Sequence, residues 1–394
     1  MNTSQSLVLS ENFNFAIWIE ADIVSAENKV CFNEVKTFMD EVDKVDDEVI
    51  KPQFGRSQNK VCFNEVKTFM DEVDKVDDEV IKPQFGRSQN KVCFNEVKTF
   101  MDEVDKVDDE VIKPQFGQSQ NIFSGCLKSL QALDLLQKQF PQDVLRMTIA
   151  FGADFWQSLN HTQEGRELKN FPAYGNGLAV ATQHDLLIHI QSLSAMSNIA
   201  LMQNVLSAFG DSITVRSEEY GYRLHEARGL DGFVDGTENP HDLADIQRIG
   251  VIDNTQPDAG GSYVLLQKYQ HNLSQWQSYS LAQQEESVGR SKIDNIEFSR
   301  EERHIRSHLS RTNLKENSGS LKIVRRSLPY GKAEGECGLM FCAYCHTLYN
   351  LEKQLQTMFG DVDGQTDFLI ERLSKTLSGA YYFAPSVERL RNLL

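Results

Sequence analysis

The chain has 394 residues, 40% apolar and 25% charged, enough for one large or two medium hydrophobic cores. That composition excludes wholesale disorder, a collagen-like chain and a disulfide-stapled miniprotein. A net charge of -17 argues against nucleic acid and anionic membrane surfaces as partners, and no apolar run reaches the roughly 18 residues of a membrane-spanning helix.

The opening stretch, MNTSQSLVLSENFNFAIWIEADI, lacks a basic region, a twin arginine and a small-residue cleavage pattern. It predicts no targeting signal and a cytoplasmic location. Seven cysteines, an odd number with three copies of one position, fit a reducing compartment rather than a disulfide framework. Within this stretch Phe15–Ala21 predicts a first strand.

A 31-residue unit then repeats three times, at 28–58, 59–89 and 90–120, differing only where Arg56 and Arg87 become Gln118. The copies hold -7 of the net charge, so the remaining 301 residues are acidic in their own right. In one copy Val35, Phe38, Val42, Val45 and Val49 fall three or four apart, an amphipathic helix that Lys51-Pro52 terminates. Stacked solenoid repeats need distinct end copies, and these are alike. Two readings stay open: a duplicated surface insertion, which loop entropy tolerates, or a self-associating or partner-binding helical module.

With 28–120 set aside, the pattern continues as helix 122–140, strand Leu145–Phe151, strand Asp185–Ile190, helix 195–209 and a strand opening at Ile213–Arg216. The order βαββαβ is ferredoxin-like. The second half repeats it with strand Ser262–Tyr269, a helix near 280–289, strands Leu321–Ser327 and Leu339–Tyr344, helix 351–359 and strand Ala380–Ala384. An α+β fold of two ferredoxin-like halves follows. Residues 1–27 plus 121–218 form the N-terminal half, 28–120 the three-copy helical insert, and 219–394 the C-terminal half.

Four groups carry candidate chemistry. GFVDGTENP, residues 232–240, presents Asp235 between two glycines; a ligand-facing turn and an Asx-type structural turn both fit. His304 and His308, if helical, share a face, which suits a metal pair or plain surface. Arg325 and Arg326 lie in a strand-like run where alternation sends one to each face, and an inward arginine needs an anionic partner or a ligand. Cys342 and Cys345 form a lone CxxC in an apolar strand, read as buried structural thiols.

Taken together, GFVDGTENP, then SH at 307–308, LKIVRRSLPYG, FCAYC and GAYYFAPS resemble the dye-decolorizing peroxidases, most nearly the cytoplasmic B-type (P-class) branch. The resemblance covers 1–27 and 121–394; the family lacks the insert. It implies a dimeric α+β barrel type of fold with haem b in the C-terminal half and a homo-oligomer. His308 matches the proximal iron ligand, with Asp367 of GQTDF behind it, and His304 matches no family position. Asp235 matches the distal acid, Arg325 the distal arginine and Arg326 its outward neighbour. Arg290, 18 residues before His308, matches the arginine that pairs with a haem propionate. Ser327 stands where some B-type members carry Asn above the iron.

The implied function is a haem peroxidase that reduces hydrogen peroxide and oxidises organic donors such as dyes, phenols or porphyrinogens in one-electron steps. Asp235 would shuttle the peroxide proton and Arg325 stabilise the departing oxygen. Carboxylate base chemistry implies activity under acidic conditions. The alternatives are a haem-handling protein (carrier, porphyrinogen oxidase or iron release) and a scaffold working through the repeats. The chain ends at ERLRNLL, directly after the last family motif, so packaging into a protein shell through a docking tail is not expected.

Overall fold

FAIWIEADI folds as strand β1, Phe15–Ile23, and its nearly unbroken burial follows from its central position between two antiparallel neighbours. The structure is a computed structural model and describes residues 3–5, 7–11, 13–24, 119–159, 163–316, 319–332 and 335–392. The readings made for the three-copy insert fall outside these residues, except that Ser119 and Gln120, the last two of the third copy, open helix α1, Ser119–Gln139.

The first half continues as β2 (Arg146–Phe151), α2 (Ala153–Ser158), β3 (Leu186–Ser192), α3 (Ala195–Phe209) and β4 (Ile213–Tyr222). Ser194 caps α3 by accepting from the Ser197 amide, and Gly210, at φ 48°, ends it. Strand β4 stays paired with β1 as far as Tyr222, past the expected boundary at 218, because Phe15 still faces Tyr222 across the ladder.

The second half holds α4 (Leu243–Gly250), β5 (Ser262–His271), α5 (Leu273–Ser278), α6 (Leu281–Val288) and α7 (His308–Thr312). A small hairpin, β6 (Lys315–Glu316) and β7 (Gly319–Ser320), precedes β8 (Val324–Arg325), β9 (Leu328–Gly331) and β10 (Cys337–Cys345). Helix α8 (Leu348–Met358), α9 (Phe368–Arg372), β11 (Ser374–Thr376), β12 (Ala380–Ala384) and α10 (Val387–Arg391) complete it. The single strand expected over Leu321–Ser327 is instead the short pair β8 and β9. Between them the Cys342 amide donates to the Ser327 side-chain oxygen at 3.1 Å rather than to a backbone carbonyl.

One ten-stranded sheet runs β4-β1-β3-β2-β12-β5-β10-β8, with β11 on β5 and β9 on β10. Each half therefore has the ferredoxin-like order 4-1-3-2. The halves join where Phe383 of β12 faces Phe151 of β2. The sheet curls until β4 lies against β9. There Gly221 is required, since a Cβ would come within 2.6 Å of the Trp18 ring and 2.8 Å of Leu328. The enclosed core draws on both halves, with Trp18, Ala150 and Leu187 meeting Val264, Cys342, Tyr344 and Tyr382. Among the described residues no helix is long and apolar enough to cross a membrane.

Candidate active site

Helix α7 begins at His308 because Ser307 caps it, its hydroxyl accepting from the Ser310 amide. The His308 Nδ1 lies 2.7 Å from Asp367 Oδ2. Asp367 is itself the cap of α9, and its other oxygen takes the Leu369 amide at 2.8 Å. With no solvent exposure and both oxygens engaged, Asp367 has no freedom to turn. A carboxylate acceptor places the imidazole proton on Nδ1 and leaves the Nε2 lone pair for a ligand.

The second cluster sits on the 227–240 loop. Gly232 and Gly236 have φ of 88° and 82°, the left-handed region that glycine enters without strain. Between them the Asp235 amide donates to the Ala227 carbonyl at 2.8 Å, and Asp235 Oδ1 lies 3.2 Å from Arg325 Nη1. The Asx-type turn belongs to Asp231, whose Oδ1 accepts from the Phe233 amide. Asn239 clips the Arg325 backbone on both sides, accepting from its amide at 2.8 Å and donating to its carbonyl at 3.2 Å.

One cavity joins these groups. His308, Asp235, Arg325 and Arg290 all line it, between the sheet residues Leu265, Leu339 and Phe341 and the helical residues Leu309, Leu355 and Leu369. Leu339 and Phe341 are half-buried while Met340 and Cys342 are fully buried, so β10 turns alternate residues to the cavity and to the core. Arg290 is buried; it donates to the Asn295 carbonyl at 2.7 Å and pairs with Glu238 at 2.6 Å.

Several expectations change. Ser327 does not line the His308 cavity: its hydroxyl is tied to the Cys342 backbone in the strand ladder. Arg326 is not outward. It is 1% exposed and donates to the Val8 and Arg325 carbonyls, because the curled sheet makes that face the interior. His304 precedes α7 on the surface, its ring tilted against Phe368 with centroids 4.7 Å apart, which leaves the surface reading of this histidine in place. Among the described residues no group of three or more His, Cys, Asp or Glu side chains could hold a metal ion. Cys342 and Cys345 are buried free thiols as expected, and burial pushes both up to about 12.

Asp231, Glu238 and Asn239 carry site contacts that were not singled out. Asp231 lines the cavity, and burial pushes its carboxyl up to about 6. The first Asp-Gly pair of DGFVDG, Asp231-Gly232, was the available signal for it.

The family model described as Dyp-type peroxidase, C-terminal, matches residues 226–389, and its N-terminal companion matches 87–223. The second match begins inside the repeats. The dye-decolorizing peroxidase of Mycobacterium tuberculosis is 34% identical over 255 residues, covering 64% of this chain and 76% of that protein. That of Brevibacterium linens is 30% identical over 63% of this chain and 69% of its own length. Among solved structures, a putative dyp-type peroxidase from Shewanella oneidensis superposes with a TM-score of 0.71 at 27% identity, over 100% of this chain and 99% of that one. A Rhodococcus jostii DypB variant in complex with heme gives 0.66 at 28% identity, over 72% and 93%. With the twice-repeated 4-1-3-2 sheet and a cavity holding the His308–Asp367 and Asp235–Arg325 pairs, these matches establish that the chain belongs to the Dyp-type peroxidase family.

Proposed function

We propose that this chain holds haem b in the His308 cavity and reduces hydrogen peroxide at the expense of organic donors. The observation that carries the assignment is the 2.7 Å bond between His308 Nδ1 and the immobile Asp367 carboxylate. It leaves one ring nitrogen on an apolar slot, the donor expected of a haem ligand. Leucine and phenylalanine side chains line that slot, and the buried Arg290 lies on its wall, which suits a flat apolar ring with acidic substituents.

When bound, the haem supplies the iron that accepts two oxidising equivalents from peroxide and passes them on singly. The chain's own residues do the rest. His308 ligates through Nε2, and Asp367 holds the Nδ1 proton so that the imidazole is a strong donor. Asp235 takes a proton from peroxide and returns it to the departing oxygen. Arg325 holds Asp235 at 3.2 Å and stabilises the negative charge that develops as the O–O bond breaks. Arg290 supplies the cation for an acidic edge of the ring. Ser327 stays outside this set, since its hydroxyl belongs to the sheet.

The protein acts as a homo-oligomer in the cytoplasm in this reading, with the haem site in the 219–394 half and the repeats as a helical insertion. The test is an absorbance spectrum of the haem-reconstituted protein before and after one equivalent of hydrogen peroxide, then after a reductant. A Soret band that shifts and then returns is expected. A band unmoved by peroxide would overturn the reading in favour of haem handling.

A further inference from the structure

The loop DGFVDG carries two acids, and they meet different fates. Asp235 lies 3.2 Å from Arg325 Nη1. Asp231, four residues earlier, lines the same haem-site cavity but has no cation within ion-pair reach among the described residues. It is held in place all the same. Its Oδ1 accepts the Phe233 amide at 3.0 Å, and its backbone carbonyl accepts from Trp276 Nε1 at 2.9 Å.

The charged and titratable groups around Asp231 come from three elements. Asp235 shares its loop, Lys292 follows α6, and His308 opens α7. None of them is hydrogen-bonded to its carboxyl. Lys292 is committed elsewhere: its Nζ donates to Gln284 Oε1 at 2.7 Å and lies over the Phe233 ring at 5.3 Å. The other two carboxylates of the cavity wall have partners, Asp235 in Arg325 and Glu238 in Arg290, and Lys322 is exposed. Among the described residues Asp231 is therefore the lining acid without a counter-charge. Burial puts its carboxyl at about 6, so the cavity holds an unpaired anion at neutral pH.

Haem b would bring two carboxylates of its own into this cavity. A like charge beside them, in surroundings of low polarity, opposes binding. A protonated carboxyl does not, and it gains an O–H that can donate to an acidic substituent of the ring.

We propose that Asp231 is a further haem-binding residue, and that haem is held with this carboxyl protonated, so that loading at neutral pH takes up one proton. The inference rests on the haem reading of the cavity and not on peroxide chemistry. Protonation favours the bound state. The Asp231 contribution to affinity is therefore full below pH of about 6 and declines above it, by up to about tenfold per pH unit.

Ferric haem titrated into the full-length apoprotein, followed by its Soret band at pH 5 and pH 8, reads the effect. Asp231→Asn keeps an acceptor for the Phe233 amide and carries no charge at either pH. The groups that wild type and variant share cancel in the ratio of their dissociation constants. That ratio should lie near one at pH 5 and reach about tenfold or more at pH 8. Calorimetry in two buffers of different ionisation heat should show the wild type taking up about one proton more per haem than the variant at pH 8. Asp231→Ser, whose hydroxyl can also accept the amide, serves if the asparagine variant does not fold. A ratio that does not change with pH, or equal proton uptake, would overturn the proposal and leave the haem site standing. No haem bound by either protein would overturn the haem reading and this inference with it. The expected ratios in a protein that does not react with peroxide would uphold the role of Asp231 and remove only the peroxidase reading.

Discussion

The two halves share a strand order but cover the outer faces of their sheets differently. In the N-terminal half, α1 and α3 lie on the sheet and on each other, and Ile17, Ile19, Leu201 and Val205 are at most 2% exposed. In the C-terminal half the corresponding layer is broken into short helices, α5 to α7, α8 and α9, held by their own side-chain caps at Asn272, Ser280, Ser307, Thr347 and Asp367. Between those helices and β10 lies the cavity, which Leu339 and Phe341 line from the sheet and Leu351 and Leu355 of α8 from the helical side. One topology thus serves as a packed support and as a ligand site, and the helices over the second half are shorter than α1 and α3 over the first. Short capped helices place a side chain at each N-terminus at a defined point, as His308 and Asp367 show.

Removing the ligand itself should break this comparison most severely. His308→Ala leaves the C-terminal half with a cavity but no ligating nitrogen, and stable haem binding should be lost, read as the absence of a Soret band after gel filtration. Full haem occupancy in that variant would show that another residue holds the iron.

Asp235→Asn and Arg325→Leu come next. Both should keep haem and slow the reaction with peroxide by roughly 10²- to 10⁴-fold, the usual scale for removing an acid-base group or a charge stabiliser. Stopped-flow absorbance at varied peroxide measures it; wild-type rates in both variants would move peroxide activation elsewhere in the cavity.

A smaller effect is expected from Asp367→Asn, which can still meet His308 but no longer as an anion. Activity or metal affinity should fall by roughly 10- to 100-fold, and the ferric/ferrous potential should rise because a less basic imidazole stabilises the ferric ion less. Spectroelectrochemistry reads the potential, and an unchanged value would make Asp367 a purely structural cap.

The mildest test sits where the halves meet. Glu20 is 3% exposed and accepts the Tyr382 hydroxyl at 2.6 Å. Burial raises its carboxyl above the ordinary 4.5 despite that bond. A group raised on folding contributes stability fully present below its unfolded pKa and lost as pH rises through the folded value. Glu20→Gln keeps an acceptor for Tyr382 and removes the charge, so urea midpoints of variant and wild type should agree more closely at pH 4 than at pH 8, with the variant more stable at the higher pH. Parallel pH curves would mean that Glu20 is already neutral, or hydrated, across the range.

Local sequence determined a great deal here. Apolar runs bounded by turn residues marked strands at Phe15–Ala21, Leu145–Phe151 and Ala380–Ala384, observed as Phe15–Ile23, Arg146–Phe151 and Ala380–Ala384, and three-to-four spacing with Gly210 as a stop marked α3. The glycines of GFVDG declared a positive-φ loop around Asp235, because that demand is met by the residue's own backbone. What only the tertiary structure decided involves separations that no local pattern spans. Alternation sent Arg325 and Arg326 to opposite faces, but which face was interior depended on the curl that brings β4 against β9. Ser327 had a side chain free to point at a cavity until the Cys342 amide, in another strand, claimed it. His308 and Asp367 lie 59 residues apart and meet only because two helix caps converge on one cavity wall. Backbone preference is a property of neighbours along the chain; the direction in which a side chain is buried is set by whatever the rest of the fold packs against it.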